Sequence, residues 1–243
     1  MHDFFSKEAK VAPAPDAISF HDSLAPIWEK GYDSDTFSIR LHVLSSLIPK
    51  RCLEQRWLDA GCGTGTLSRW LVHERGFSVV AIDGSEQMLQ RASQAKGLEY
   101  RRADVVDTHL PDCSFDGVLC SSVLEYLSSV ERALREFWRV LRPGGTLIAS
   151  VPNASLKLRI PLKTLYWITR PLGPKRWYSF LDHSRHCYSA VAFAEMLHLA
   201  GFSTERMVEF GNLGLPFGLR VGKGTLIMAL AKKECSSPPF SNR

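Results

Sequence analysis

The stretch LDAGCGTGTLS, residues 58–68, sets three glycines at alternate positions, Gly61, Gly63 and Gly65, behind an acid, Asp59, and ahead of an apolar run. The preceding "RWLDAG" reads as a short buried strand. The following "TLSRWLVHERG" has the period of an amphipathic helix closed by Gly76. A glycine loop between a strand and a helix lets a ligand approach the backbone closely. The plain alternative is a glycine-rich turn with no ligand. A dinucleotide loop has the spacing G-x-G-x-x-G, and here the third glycine arrives one position early. A phosphate-cradling P-loop ends in Lys-Ser or Lys-Thr, and neither follows.

Outward from the loop, apolar runs alternate with amphipathic ones. "SVVAID" is a strand, "SEQMLQRASQAKG" a helix closed by Gly97, and "LEYRRAD" and "FDGVLCSS" are strands. "VERALREFWRVLRPGG" is a helix with a glycine stop and "TLIASVP" a fifth strand. "SAVAFAEMLHLAG" is a later helix, followed by the strands "STERMVEF" and "GTLIMALAKK" across a glycine-rich turn at 211–224. This order predicts an α/β fold, a mainly parallel Rossmann-like sheet with helices on both faces and an antiparallel pair at one edge. Asp83 ends the second strand and Asp104 the third, so with Asp59 three strand tips carry carboxylates toward one crevice. One ligand accounts for all three: a nucleoside without phosphate that carries a positive charge. Asp83 takes the ribose, Asp104 the adenine amino group, and Asp59 with the loop carbonyls faces a cationic tail. For Asp83 the competing role is a helix cap, since Gly84-Ser85 opens the next helix.

The chain has 243 residues, a net charge of +5 and six cysteines, at 52, 62, 113, 120, 187 and 235, none in C-x-x-C spacing. This argues against a zinc site or disulfide framework and for a reducing, cytoplasmic setting. No signal-peptide pattern opens the sequence and no apolar run is long enough to span a bilayer. The expected organisation is a flexible arm at 1–19, one domain at 20–233 and a disordered tail at 234–243. Within the domain, N-terminal helices at 20–50 form a cap and 153–188 an inserted lid.

The blocks "LDAGCGTG", "VVAIDGSEQML", "RRADVVD", "FDGVLCSSVLEYL" and "LRPGGTLIASVPN" resemble, in order and spacing, the motifs of class I S-adenosylmethionine-dependent methyltransferases over residues 55–153. Within that class, "SDTFSIR", "VLEYL" and "SVPN" followed by an insertion look most like the ubiquinone-pathway O-methyltransferases. The resemblance implies a seven-stranded sheet with its last strand antiparallel, and S-adenosylmethionine as cofactor, S-adenosylhomocysteine being the product. It implies a cofactor site of Tyr32, Arg40, Asp59, Gly61, Gly63, Asp83, Gly84, Ser85, Met88, Asp104, Val105 and Ser121. Gly61 would approach the methionine part, Tyr32 and Arg40 cover it, and Ser121 lie beneath.

The donor supplies the electrophile, so the protein needs a base only where the acceptor holds a proton. Related enzymes carry Glu-His after the fourth strand, next to a divalent metal. Here the pair is Glu125-Tyr126, which predicts no metal. Candidate catalytic residues are His183, His186 and Tyr126, with turn stabilisation or plain packing as the competing roles. The remaining histidines, His21 among them, stand in no recognisable constellation. The insertion at 156–180 interleaves Lys157, Arg159, Lys163, Arg170, Lys175 and Arg176 with aromatics and contains no acid. A lid, a lid touching membrane or lipid, and a nucleic-acid surface remain open for it, nucleic acid being the least favoured. The expected function is methyl transfer to an oxygen, less readily a nitrogen, of a hydrophobic or aromatic small molecule. A tRNA or rRNA methyltransferase, a nicotinamide-dependent oxidoreductase and a non-catalytic cofactor-binding subunit are the alternatives. The oligomeric state is left open.

Overall fold

The computed structural model describes residues 17–31, 35–48, 54–154, 183–214 and 220–234. Tyr32, the insertion at 156–180, residues 1–16 of the arm and 235–243 of the tail lie outside the described residues. Seven strands form one sheet: β1 (Arg56–Ala60), β2 (Ser78–Asp83), β3 (Leu98–Arg102), β4 (Phe115–Ser121), β5 (Leu141–Pro152), β6 (Phe202–Gly214) and β7 (Arg220–Lys233). Their order is β3-β2-β1-β4-β5-β7-β6. The pairs from β3 to β5 are parallel, and β7 is antiparallel to both β5 and β6. The helices are α1 (Ala17–Leu24), α2 (Asp35–Leu47), α3 (Thr66–Arg75), α4 (Glu86–Gln90), α5 (Val130–Val140) and α6 (Ala190–Leu199). Two 3-10 turns, Ala25–Gly31 and Leu124–Tyr126, complete the described elements.

The strands are apolar throughout because both faces are covered. Leu58, Val80, Ile82, Val118 and Ala149 face one core with Leu134 and Phe137 of α5 and Phe193 of α6. Their neighbours Trp57, Val79, Ala81, Leu119 and Ile148 face the other, with Leu44 of α2 and Leu71 of α3. The chain runs outward from β1 to β3, then returns to place β4 on the other side of β1. That reversal opens a crevice at the carboxyl ends of β1 and β4. No helix among the described residues is long and apolar enough to cross a membrane.

Four boundaries differ from the sequence reading. Helix α5 ends at Val140, and residues 141–145, read as the end of that helix, belong to β5. Helix α4 ends at Gln90, well before Gly97, and Met88 is its one buried residue. Beyond Leu89 only Ala92 and Ala95 offer an apolar face before the left-handed Gly97 turns the chain into β3. Strands β6 and β7 run through most of the glycine-rich region expected to be a turn, pairing as far as Gly214 with Arg220. Register shifts at Phe210/Asn212 and Asn212/Leu213 absorb the irregularity, so the ladder survives the weak strand preference of glycine. Helix α1 starts at Ala17, inside the segment read as an arm, and Ile18 is seated against Gly84.

Glu136 fixes α5 to the loop after β3. It accepts the Thr108 N–H at 2.8 Å and the Thr108 hydroxyl at 2.6 Å, and pairs with Arg139 at 2.7 Å. Burial pushes its pKa up, but the Arg139 and Thr108 donors outweigh burial and hold it down at about 2. A carboxyl depressed on folding stabilises above its unfolded value of 4.5 and loses that contribution as pH falls toward about 2. Glu136→Gln should lower the unfolding free energy by about 1–2 kcal/mol at pH 7. In urea titrations the gap to wild type should close between pH 5 and about 2, and a gap independent of pH would contradict this role.

Candidate active site

The loop after β1 is built for close approach. Gly61, Gly63 and Gly65 have φ of 79°, 56° and 75°, the left-handed region that side chains resist. Space compounds the constraint: a Cβ on Gly61 would lie 2.2 Å from Val123, and one on Gly65 1.9 Å from the Tyr100 hydroxyl. The N–H groups of Gly61 and Cys62 donate to the Ile82 carbonyl at 2.8 and 2.9 Å, fastening the loop to β2.

Asp83 joins two loops. One carboxylate oxygen accepts the Gly63 N–H and the other the Ser85 N–H, both at 2.8 Å. The helix-cap role belongs to Ser85, whose hydroxyl accepts the Met88 N–H at 3.1 Å. Each Asp83 oxygen retains a lone pair for a further donor. The Ser85 hydroxyl also donates to Asp22 of α1 at 2.5 Å.

Asp59 lies deeper than a crevice wall. It is 1% exposed and accepts the Ser68 hydroxyl of α3 at 2.6 Å. Burial raises its pKa to about 7; the Ser68 bond opposes this and the charge of Asp83 adds to it. Asp104 is exposed and closes a turn by accepting the Val106 N–H at 3.0 Å. It stands two residues beyond β3, so the structure gathers Asp59 and Asp83 at the loop and leaves Asp104 at the rim. Met88 and Val105 are buried, and Ile18 covers Gly84. Ser121 ends β4, and its hydroxyl is buried without a partner among the described residues. Arg40 reaches across from α2 to the next residue, donating to the Ser122 hydroxyl at 2.9 Å.

Above the loop stands an aromatic cluster that local motifs do not announce. Trp28 covers Gly63, where an added Cβ would sit 3.2 Å from its Nε1. The His21 ring meets Trp28 and Tyr126 edge-on, with centroids at 5.6 and 4.8 Å, and Phe20 stacks on His183 at 3.8 Å. Tyr126 and His183 are thus brought together. His186 is not: its Nε2 is 2.9 Å from the Leu127 carbonyl and its N–H donates to the Glu125 carbonyl, which holds the turn. Phe20, His21 and Trp28 were missed because their partners come from distant parts of the chain.

The family model for a methyltransferase domain matches residues 58–149. A demethylmenaquinone methyltransferase of Thermus thermophilus is 38% identical over 182 residues, which cover 68% of this chain and 83% of that protein. A malonyl-[acyl-carrier protein] O-methyltransferase of Serratia marcescens is 40% identical over 97 residues, 40% of this chain and 38% of that protein. The match thus spans about two fifths of the length of that enzyme. Among solved structures, an S-adenosylmethionine-dependent methyltransferase of Thermotoga maritima shares the fold with a TM-score of 0.65 at 21% identity, covering 89% of this chain and 99% of that one. A sheet of this order with a glycine loop at its switch point defines a nucleoside-binding α/β enzyme. The chain belongs to the class I S-adenosylmethionine-dependent methyltransferases. The residues present suit that cofactor: a cradle that any Cβ would fill, spare acceptor capacity on Asp83 and an orphaned Ser121 hydroxyl.

The Asp59 carboxyl has a stability signature. Its pKa is raised from 3.8 to about 7, so its contribution is complete below pH 3.8 and is lost as pH rises through about 7. Asn imitates the protonated form. Asp59→Asn should therefore gain on wild type between pH 4 and pH 8, by on the order of 2–4 kcal/mol. Urea midpoints across that range measure the gain, and parallel curves would show Asp59 to be ionised throughout.

Proposed function

We propose that this enzyme transfers the methyl group of S-adenosylmethionine to an oxygen of a hydrophobic or aromatic small molecule. The observation that carries the reading is the aromatic and imidazole cluster of Phe20, Trp28, Tyr126 and His183 standing over the glycine loop. Such walls bury a flat apolar acceptor and exclude water from the reacting atoms. Each of two relatives supports one part of it: the name demethylmenaquinone methyltransferase a quinone-type acceptor, and the name malonyl-[acyl-carrier protein] O-methyltransferase an oxygen.

When bound, the cofactor supplies a sulfonium methyl, the electrophile of an in-line displacement. The backbone of Gly61 and Gly63 lies along the methionine part. Asp83 accepts the ribose hydroxyls with the lone pairs that Gly63 and Ser85 leave open. Gly84, Ser85 and Met88 shape the far side of the ribose, and Asp104 and Val105 flank the adenine. Ser121 would lie beneath the cofactor and Arg40 at its methionine end, the end to which the family resemblance also assigns Tyr32. Asp59 places negative charge below the cationic tail. An acceptor that reacts as a neutral hydroxyl needs a base, and a histidine of the cluster over the loop provides it. The basic and aromatic composition of 156–180 suits contact with a lipid-like acceptor or a membrane surface.

Calorimetric titration with S-adenosylmethionine and S-adenosylhomocysteine, with NADH as control, tests the donor site. Both sulfur compounds should bind and NADH should not. Asp83→Ala should weaken their binding at least tenfold through loss of a charge-assisted bidentate contact. Unchanged affinity would place the ribose elsewhere. An acceptor screen of phenols, quinols and malonyl thioesters then tests the acceptor class, and methylation confined to amines or RNA would overturn it.

A further inference from the structure

Helix α1 carries a histidine, His21, that no motif singles out. Its Nδ1 lies 2.7 Å from the Ala17 carbonyl, one turn earlier in the same helix. A carbonyl oxygen can only accept, so Nδ1 carries the ring proton and Nε2 presents its lone pair. Among the described residues Nε2 has no hydrogen-bond partner. The ring is enclosed by Phe20, Trp28 and Tyr126, at centroid distances of 5.2, 5.6 and 4.8 Å. Trp28 rests on Gly63, and Tyr126 stands on the turn that follows β4. The imidazole therefore sits between the loop assigned to the donor and the wall assigned to the acceptor.

We propose that His21 is the general base of the methyl transfer, acting through Nε2. The inference rests on the donor and acceptor reading given above. As the oxygen–methyl bond forms, the carbon–sulfur pair stays on sulfur, the acceptor O–H bond breaks and the proton ends on Nε2. Imidazolium is returned to the neutral base by proton loss to solvent. Charged and titratable groups face the ring from every side: Asp22 from α1, Asp83 from β2, Tyr126 from the turn, and His183. Burial lowers the pKa of the ring below 6.5 and His183 adds to that, while the Ala17 bond, Asp83 and Asp22 oppose it. The base is thus neutral at pH 7, and its two carboxylate neighbours stabilise the cation that forms. The other histidines are less suited. His186 is committed to the Leu127 carbonyl, and His183 lies flat on Phe20 with its Nδ1 closed off from solvent.

Histidine NMR titration of the full chain tests the proposal, with the His21 signal assigned by its loss in His21→Gln. The protein is saturated in turn with S-adenosylmethionine and S-adenosylhomocysteine, and calorimetry confirms binding in the same samples. A sulfonium charge next to Nε2 opposes protonation, so the His21 pKa should lie about one unit lower with the methionine compound. Equal values in the two complexes would place His21 away from the methyl group and overturn the proposal. Failure of either compound to bind would overturn the donor reading itself, and the calorimetry separates the two failures. With a phenol or quinol that the wild type methylates, His21→Gln should lower kcat by at least a hundredfold. It should also abolish the acidic limb of the pH profile while leaving S-adenosylhomocysteine affinity within twofold. Unaltered kcat, or a wild type that methylates no hydroxyl acceptor, would equally sink it.

Discussion

The two N–H bonds that Asp83 accepts, from Gly63 and Ser85, are the constraint on which the rest of the site depends. They lock the glycine loop after β1 to the turn after β2, across neighbouring parallel strands. Together with the Gly61 and Cys62 N–H bonds to the Ile82 carbonyl they brace the left-handed glycines, and α4 begins at a fixed point. Ser85 extends the same link to α1 through Asp22, so the cap over the crevice hangs from the carboxylate that organises its floor. A single acid at a strand tip thereby couples loop, helix and cap.

Electrostatics select the ligand that such a floor accepts. Asp59 is buried and Asp83 half-buried; burial pushes both carboxyls up, the charge of Asp83 adds to the shift at Asp59, and that of Asp22 adds to the shift at Asp83. A pyrophosphate would add negative charge to these two carboxyls. A sulfonium with an α-ammonium group relieves them instead, which is why the two acids and the early third glycine agree in rejecting a dinucleotide. Asp59 is buried and bonded to Ser68, so its proposed link to the cationic tail is through charge.

Much of this was legible in the sequence because it is local. The alternation of buried strands with glycine-stopped helices specified a two-faced sheet, and its order follows from the crossovers. Asp83 and the glycines are neighbours of the strand ends they serve, so spacing exposed them. Helix α4 was overread because a glycine stop at Gly97 looked like a helix end, whereas no apolar stripe continued past Leu89. The β6–β7 hairpin was underread because its glycines looked like a turn although a paired ladder outweighs them. Met88 and Val105 carried a motif position but not an orientation, and both are buried. The aromatic cluster was invisible for a different reason: Phe20, His21, Trp28, Tyr126 and His183 meet only once α1 has folded over the loop.

This separation has a physical cause that bears on how the enzyme divides its work. On the proposed reading, donor recognition is carried by backbone geometry and by carboxylates at strand tips, which the sheet itself positions. On the same proposed reading, acceptor recognition falls to α1, the turn at Leu124–Tyr126 and the chain from His183, whose rings meet only across distant parts of the sequence. Substitutions there repack a wall without touching the Asp83 link. His21, the proposed base, lies on the helix that Asp22 ties back to Ser85, which would hold it in register with Asp83, the proposed ribose acceptor.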